Sequence, residues 1–139
     1  MTPTHDRYQR YLETLTPESL KAISDYVTED VRFKDPFNDV RGVDAMIHVF
    51  RHMFENVHGV RFTVRHALTD GVTCLMEWRF EGILGGAPWA FDGASRITFA
   101  ADGRVCEHID YWDVAGNFYE RLPVIGWLLA RLRQRLEVR

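Results

Sequence analysis

The chain has 139 residues, of which 46% are hydrophobic and 27% are charged, and its formal net charge is −3 at pH 7. This length fits one domain whose core needs no metal or disulfide to hold it together. The composition excludes a largely disordered chain, and the balanced charge argues against a nucleic-acid partner. No apolar run reaches the roughly 18 residues of a membrane-spanning helix.

The N-terminus and the two cysteines bear on the cellular compartment. Residues 1–10 are polar and lack the apolar stretch of a signal peptide. Cys74 and Cys106 lie in apolar, strand-like runs without the spacing of a metal site. We therefore predict a cytoplasmic protein with two buried thiols, while a disulfide between them stays open.

Apolar residues spaced by three and four predict helices in the first part of the chain. Thr16-Pro17-Glu18 signals the start of a second helix, which ends near residues 28–30. A third helix starts near Asp44, and Gly59 closes it. The first helix places four apolar residues on one face: Tyr8, Tyr11, Leu12 and Leu15.

Elsewhere the apolar pattern has a period of two, which is typical of half-buried strands. One strand is predicted at 31–35, before the third helix, and four more at 60–67, 72–81, 89–100 and 104–113. The turn residues between the last four predict antiparallel neighbours. We therefore expect an α+β domain with helices on one face of a curved sheet, whose concave interior is where small-molecule sites usually lie.

The first candidate site residue is Asp35, at the end of the first strand. Pro36 ends this strand because it lacks a backbone N–H and keeps Asp35 extended, and Phe37 follows. A carboxylate pressed against an aromatic ring can have a raised pKa and act as a base near neutral pH. Asp35 fits equally well as a solvated loop residue that only shapes the turn.

The last strand carries a second set of candidates. Alternation places Cys106, His108, Asp110 and Trp112 on one face, and Val105, Ile109 and Tyr111 on the other. If the first face turns toward the helices, His108 and Asp110 need buried partners, either as a catalytic pair or as a structural network. The second face is apolar enough to pack on another copy, so we predict a homodimer, with a monomer as the alternative.

The order of these elements, the Asp35-Pro36-Phe37 strand end, the turn at 102–104 and the final Tyr111-Trp112 resemble the nuclear transport factor 2-like superfamily. Within it, the chain is most similar to ketosteroid isomerases and SnoaL-like polyketide cyclases over residues 5–115. The resemblance implies a cone-shaped, mainly antiparallel sheet wrapped around N-terminal helices, a cystatin-like α+β barrel, with an extra C-terminal helix. Because this fold hosts several reactions and also binding proteins, it does not determine the activity.

The resemblance also implies roles for single residues. Asp35 matches the general base of the isomerases, and Tyr11 matches the tyrosine that donates to the developing oxyanion. Trp112 matches an aromatic residue of the pocket wall. Ser95 falls where the isomerases have a carboxylic acid as second oxyanion donor, and because serine is the weaker donor this argues against steroid isomerisation.

His108 and Asp110 occupy positions that are apolar in the isomerases and are more similar to the acid–base residues of the cyclases. We therefore predict a carboxylate-based site, in which Asp35 or Asp110 removes a proton. The other carboxyl or His108 returns it, and Tyr11 and Ser95 stabilise the enolate oxygen. The predicted activity is that of an isomerase or cyclase acting alpha to a carbonyl.

Apolar side chains are expected to form the wall of this pocket, although each also fits plain core packing. Such a wall suits a small hydrophobic molecule, and without a glycine-rich phosphate loop or a metal triad we expect no cofactor and no metal. The alternative function is a non-catalytic binder of a lipid or hydrophobic metabolite. Besides Ser95, the candidate substrate-binding residues are Phe37, Phe50, Phe54, Trp78 and Trp112, with Trp89 as a further wall residue.

Residues 117–139 extend past residues 1–116, which we predict to form the SnoaL-like domain. From residue 120 onward, five arginines stand against two glutamates, so this stretch has a net charge of +3. The arginines lie between apolar residues and predict a basic amphipathic helix. The helix can pack on its own domain as a lid, join the dimer contact, or touch an anionic membrane surface. The first is favoured because packing supplies most helix stability.

Overall fold

The computed structural model describes residues 4–138, so Met1–Pro3 and Arg139 of the predicted tail lie outside the described residues. Among residues 4–138, no helix combines the length and hydropathy that crossing a membrane requires. The elements in chain order are α1 (Thr4–Glu13), a 3-10 helix (Ser19–Asp25), β1 (Val27–Lys34), β2 (Asp39–Arg41), α2 (Val43–Asn56), β3 (Val57–Asp70), β4 (Thr73–Leu84), β5 (Ala87–Phe99), β6 (Val105–Tyr111), α3 (Val114–Asn117), a second 3-10 helix (Tyr119–Arg121) and α4 (Ile125–Leu136).

The six strands of the described chain form one curved sheet in the order β2-β1-β6-β5-β4-β3. Strands β3 to β6 pair as antiparallel neighbours, whereas β1 runs parallel to β6. The predicted α+β class, with a curved, mainly antiparallel sheet and an extra C-terminal helix, is confirmed. The sheet is open rather than a closed barrel, because β2 and β3 lie at its two edges and do not pair with each other.

Several element boundaries differ from the prediction. The second predicted helix is a short 3-10 helix ending at Asp25, because the chain then joins the sheet as β1. Helix α2 ends at Asn56 rather than Gly59, since Val57 is already extended and begins β3. The predicted loop between β4 and β5 shortens to Gly85-Gly86, both with positive φ, which glycine adopts without strain.

The core lies between the concave face of the sheet and the helices. Tyr8, Tyr11 and Leu12 bury the predicted face of α1. Alternate residues of β4 are buried from Cys74 to Phe80, as a period of two requires. Each fully buried large apolar side chain contributes about 1.5–3 kcal/mol through removal from water. The largest buried side chains include Tyr8, Leu20, Ile23, Phe33, Met46, Met76 and Ile97.

A bulge in β6 changes which residues form the outer face of the sheet. Thr98 pairs with Glu107 and Phe99 with Val105, so Cys106 is an extra residue, and Val105 turns into the core. Ile109 is also buried, which leaves Tyr111, 56% exposed, as the accessible member of the predicted apolar face. The homodimer stays a prediction. Both cysteines are free, Cys74 buried and Cys106 half-buried.

Gly93 is predicted to be essential for the packing of Trp78. The two residues pair across β4 and β5, and a Cβ on Gly93 would lie 2.4 Å from Cη2 of the Trp78 ring. Because the ring would have to move, we expect Gly93→Ala to lower the free energy of unfolding by about 1–3 kcal/mol in urea denaturation. Ala94→Ser, at the exposed neighbour, should change it by less than about 0.5 kcal/mol. Equal stability of the two variants would contradict this packing.

Candidate active site

The concave face of the sheet and the helices enclose a cavity of about 620 Å³, large enough for a small organic molecule. Most of its wall is apolar and aromatic. The predicted wall residues that line it are Phe37, Phe50, Phe54, Trp78, Trp89 and Trp112. Further aromatic residues, which the sequence did not single out, are Phe62, Phe80, Phe91 and Phe118.

Asp35 lies in the cavity wall directly after β1 and also shapes a turn, and its role as a base stays a prediction. Its Oδ1 accepts hydrogen bonds from the backbone N–H groups of Phe37 at 2.8 Å and Asn38 at 2.7 Å, and from the Asn38 side chain at 3.1 Å. Burial raises the pKa of Asp35 above its ordinary 3.8. These hydrogen bonds oppose the rise in pKa, and the nearby charge of Asp110 adds to it.

His108 and Asp110 line the same cavity from β6. Oδ1 of Asp110 accepts from the Ser95 hydroxyl at 2.5 Å and lies 2.7 Å from Nε2 of His108. Nδ1 of His108 lies 2.7 Å from the Tyr8 hydroxyl, and Trp78 Nε1 donates to Ser95 Oγ at 2.8 Å. These five side chains, from α1, β4, β5 and β6, form one continuous chain that we call the Asp110 network.

The donors of the Asp110 network determine where its protons lie. The indole of Trp78 can only donate, so the Ser95 oxygen accepts from it and directs its own proton to Asp110. Burial raises the pKa of Tyr8 well above its ordinary value, so its hydroxyl stays protonated beside His108 Nδ1. A carboxylate oxygen can only accept, so Nε2 of His108 carries the proton that faces Asp110. Both bonds to the carboxyl use Oδ1, so Oδ2 is the oxygen that can meet a ligand.

Two predicted site residues lie behind the cavity wall rather than on it. The Tyr11 hydroxyl donates to the Ser19 carbonyl at 2.9 Å, and its ring stacks on Tyr26 with centroids 4.0 Å apart. The expected convergence of Tyr11 on the cavity is therefore not observed, and Tyr8, three residues earlier, reaches the Asp110 network instead. Ser95 is 2% exposed, does not line the cavity, and donates its hydroxyl proton to Asp110.

The segment after β6 completes the cavity wall, which the sequence did not predict. Trp89 Nε1 donates to the Asn117 carbonyl at 2.6 Å. The Phe118 ring packs edge-on against Phe37, with centroids 5.2 Å apart, and Tyr119 also lines the cavity. Residues just past the predicted domain boundary at 116 therefore contribute to the site.

The charged groups of the wall are acidic. Glu13, Asp35 and Asp110 line the cavity, whereas no lysine or arginine does so among the residues described. Burying an anion without a cationic partner is costly, so this cavity disfavours anionic ligands. Within residues 4–138, no group of three or more His, Cys, Asp or Glu side chains is arranged to hold a metal ion.

Comparison with known proteins gives a family and a fold. The SnoaL-like domain family matches residues 8–108. A nuclear transport factor 2-like protein of unknown function from Burkholderia pseudomallei has a TM-score of 0.73 and 16% identity, with coverage of 84% of this chain and 95% of that one. No curated protein is significantly similar to the chain.

Two further solved structures cover more of the chain. A protein with a ketosteroid isomerase-like fold from Catenulispora acidiphila, in complex with trimethylamine, has a TM-score of 0.73 and 16% identity, covering 91% of this chain and 98% of that one. An LEH-like epoxide hydrolase from M. tuberculosis has a TM-score of 0.68 and 19% identity, covering 99% of this chain and 100% of that one. At such identities the likeness shows the fold alone.

Removing the central hydroxyl of the Asp110 network should destabilise the chain. Ser95→Ala leaves the buried Trp78 N–H without an acceptor, and we expect the free energy of unfolding to fall by about 1–3 kcal/mol. Thr14→Ala, which removes an exposed hydroxyl bonded to the Arg10 carbonyl, should change it by less than about 0.5 kcal/mol. Urea denaturation compares the two, and an unchanged Ser95→Ala midpoint would rule out a stabilising network.

Asp35 should make stability depend on pH in a recognisable direction. The folded-state pKa of Asp35 is raised above the pKa of 3.8 in the unfolded chain. The stability that protonated Asp35 contributes is therefore fully present below pH 3.8 and is lost as the pH rises through the folded-state pKa. Asp35→Asn, whose amide oxygen can still accept the backbone bonds of the turn, should therefore gain stability relative to the wild type as the pH rises from 3.8 toward neutral.

Asp39→Asn is the matched control for that experiment, with the opposite sign. The hydrogen bond and charge of Arg32 lower the pKa of Asp39, so its contribution is present above 3.8 and is lost as the pH falls through the folded pKa. This variant should therefore lose stability relative to the wild type as the pH rises. Urea midpoints over about pH 3–7 measure both trends, and trends of the same sign would refute the Asp35 assignment.

Proposed function

We propose, because the chain belongs to the SnoaL-like domain family, that its cavity is an active site for acid–base chemistry on a hydrophobic small molecule. The reaction class is proton transfer alpha to a carbonyl, as in an isomerisation or a cyclisation. The main support is that one largely apolar cavity is lined by Asp35, Asp110 and His108.

The wall composition supports an uncharged, hydrophobic substrate. Aromatic rings supply large apolar contact areas, and offset or edge-on ring contacts favour a polycyclic or conjugated molecule. Phosphorylated or carboxylated substrates are disfavoured, since the described wall offers them acidic groups and no lysine or arginine.

Asp35 is the group proposed to remove the proton. Its raised pKa makes it a stronger base than an ordinary aspartate, and the turn at Phe37 and Asn38 fixes its orientation through Oδ1. The electron pair released from the carbon moves to the carbonyl oxygen, which becomes an enolate.

Asp110 is proposed to strengthen Asp35 as a base. Its carboxylate is held through Oδ1 by Ser95 and His108, and its negative charge opposes ionisation of Asp35 and so favours proton uptake by Asp35. Asp35 then returns the proton to a different carbon of the enolate, which isomerises the substrate and restores the Asp35 carboxylate.

Exchange of the alpha protons of 2-tetralone, an uncharged bicyclic ketone, tests this chemistry. In D2O, NMR should show that the wild-type chain accelerates the exchange. Asp35→Asn should slow it by about 100-fold or more, since a general base contributes roughly that factor. Asp110→Asn should slow the exchange less, because it removes a charge that strengthens Asp35 but leaves the base itself in place. The wild-type rate should rise with pH through the raised pKa of Asp35.

Asp39→Asn is the control, because the exposed Asp39 carboxylate pairs with Arg32 outside the cavity. The Asp39→Asn variant should exchange the ketone protons at the wild-type rate. An equal loss in Asp35→Asn and Asp39→Asn would contradict the proposal. If the wild-type chain binds the ketone but does not accelerate exchange, the acid–base proposal fails and non-catalytic binding is favoured.

A further inference from the structure

Helix α4 turns its apolar side away from the domain. Four apolar side chains at helical spacing, Ile125, Leu128, Leu132 and Leu136, are 55%, 50%, 57% and 86% exposed. At 100° per residue they form one stripe along the helix, which we call the α4 stripe. The expected packing of this apolar side onto the domain is therefore not observed.

A different side of α4 holds it on the domain. Gly126 is buried so closely that a Cβ on it would lie 2.3 Å from the Glu120 carbonyl oxygen. Arg133, seven residues on and on the same side, donates to the Glu120 carboxylate at 2.7 Å. This side lies about a quarter turn from the α4 stripe. The attachment to the second 3-10 helix therefore leaves the stripe facing outward.

Arg131 and Arg135 form a basic edge along the stripe, at 100° per residue. Arg133, at the other edge, is paired with Glu120 and Glu137. Trp127 is 60% exposed, and the Arg131 guanidinium lies 5.3 Å from the centroid of its ring. Such side chains place an apolar body beside the stripe and a polar tip above it. An apolar stripe beside a basic edge is the pattern of helices that lie in a membrane interface.

We propose that α4 docks on an anionic lipid surface, with its axis in the membrane plane and the α4 stripe inserted. Charge complementarity selects this occupant over a second copy of the chain. The tail from residue 120 onward has a net charge of +3, so two stripes packed face to face would bring arginines together, whereas anionic headgroups neutralise them.

Docking would also place the cavity close to the membrane surface. Helix α4 is attached to the second 3-10 helix, whose Tyr119 lines the cavity, so a membrane bound at α4 lies near the cavity rim. The inference rests on the geometry of α4 and holds whether or not the proposed reaction does.

Vesicle co-sedimentation of the full chain tests the docking. The chain should pellet with phosphatidylcholine vesicles that contain roughly a third phosphatidylglycerol, at least about tenfold more than with pure phosphatidylcholine, and salt should weaken the binding. The double variant Leu128→Glu, Leu132→Glu should lose about tenfold or more of this binding. The double variant Arg131→Gln, Arg135→Gln should bind the anionic vesicles about tenfold more weakly as well.

Two surface variants away from α4 are the matched controls. Leu68→Glu changes an apolar side chain that is 73% exposed on the sheet, and Arg61→Gln removes an exposed arginine of β3. Both should bind the anionic vesicles as the wild type does. Equal pelleting of wild type and α4 variants would overturn the proposal. So would a dimer in sedimentation equilibrium that only the Leu128→Glu, Leu132→Glu variant dissociates, because a second copy would then cover the stripe.

Discussion

The short hydrogen bond between Ser95 and Asp110 joins the parts of the site. The two residues are cross-strand partners on β5 and β6, so their side chains lie next to each other on the concave face. Trp78 extends the chain of bonds to β4, and His108 and Tyr8 extend it to α1. A buried polar group costs stability unless it is paired, so one arrangement of helix and sheet satisfies the whole chain of bonds. Among the described residues, no buried side-chain nitrogen or oxygen lacks a partner.

The parallel pairing of β1 with β6 explains why two carboxyl groups meet in one apolar space. Phe33 pairs with His108 and Lys34 with Ile109, so the next residue of each strand, Asp35 or Asp110, reaches the same end of the sheet. Pro36 and the turn after it stop β1 at this point. The consequence is an acid group whose pKa is raised by burial, near a second one that Ser95 and His108 hold in place.

Much of this arrangement follows from local patterns in the sequence. Period-two alternation in the last strand correctly groups His108, Asp110 and Trp112 on the cavity face, and the Asp35-Pro36 strand end identifies the other carboxyl. Alternation fails at Cys106, because a bulge inserts one residue and sends Val105 into the core. Patterns of this kind describe strands one at a time and contain no information about a bulge that only the pairing creates.

Other features depend on how distant elements meet. Tyr8 and Tyr11 both lie on the apolar face of α1, and only the position of the helix over β6 decides which hydroxyl reaches His108. The amphipathic pattern of α4 likewise predicts an apolar side but not its orientation, which the contact of Gly126 and Arg133 with Glu120 determines. Periodicity identifies the faces of a helix, and tertiary contacts decide what each face touches.

Burial in the cavity, together with the charge of Asp110, raises the pKa of Asp35. NMR titration of the carboxyl carbons of 13C-labelled aspartates measures this directly. We expect Asp35 to titrate above 3.8 in the wild-type chain, and Asp110→Asn to move this midpoint back toward 3.8. An Asp35 midpoint at or below 3.8 would show that the cavity does not oppose ionisation of this carboxyl group.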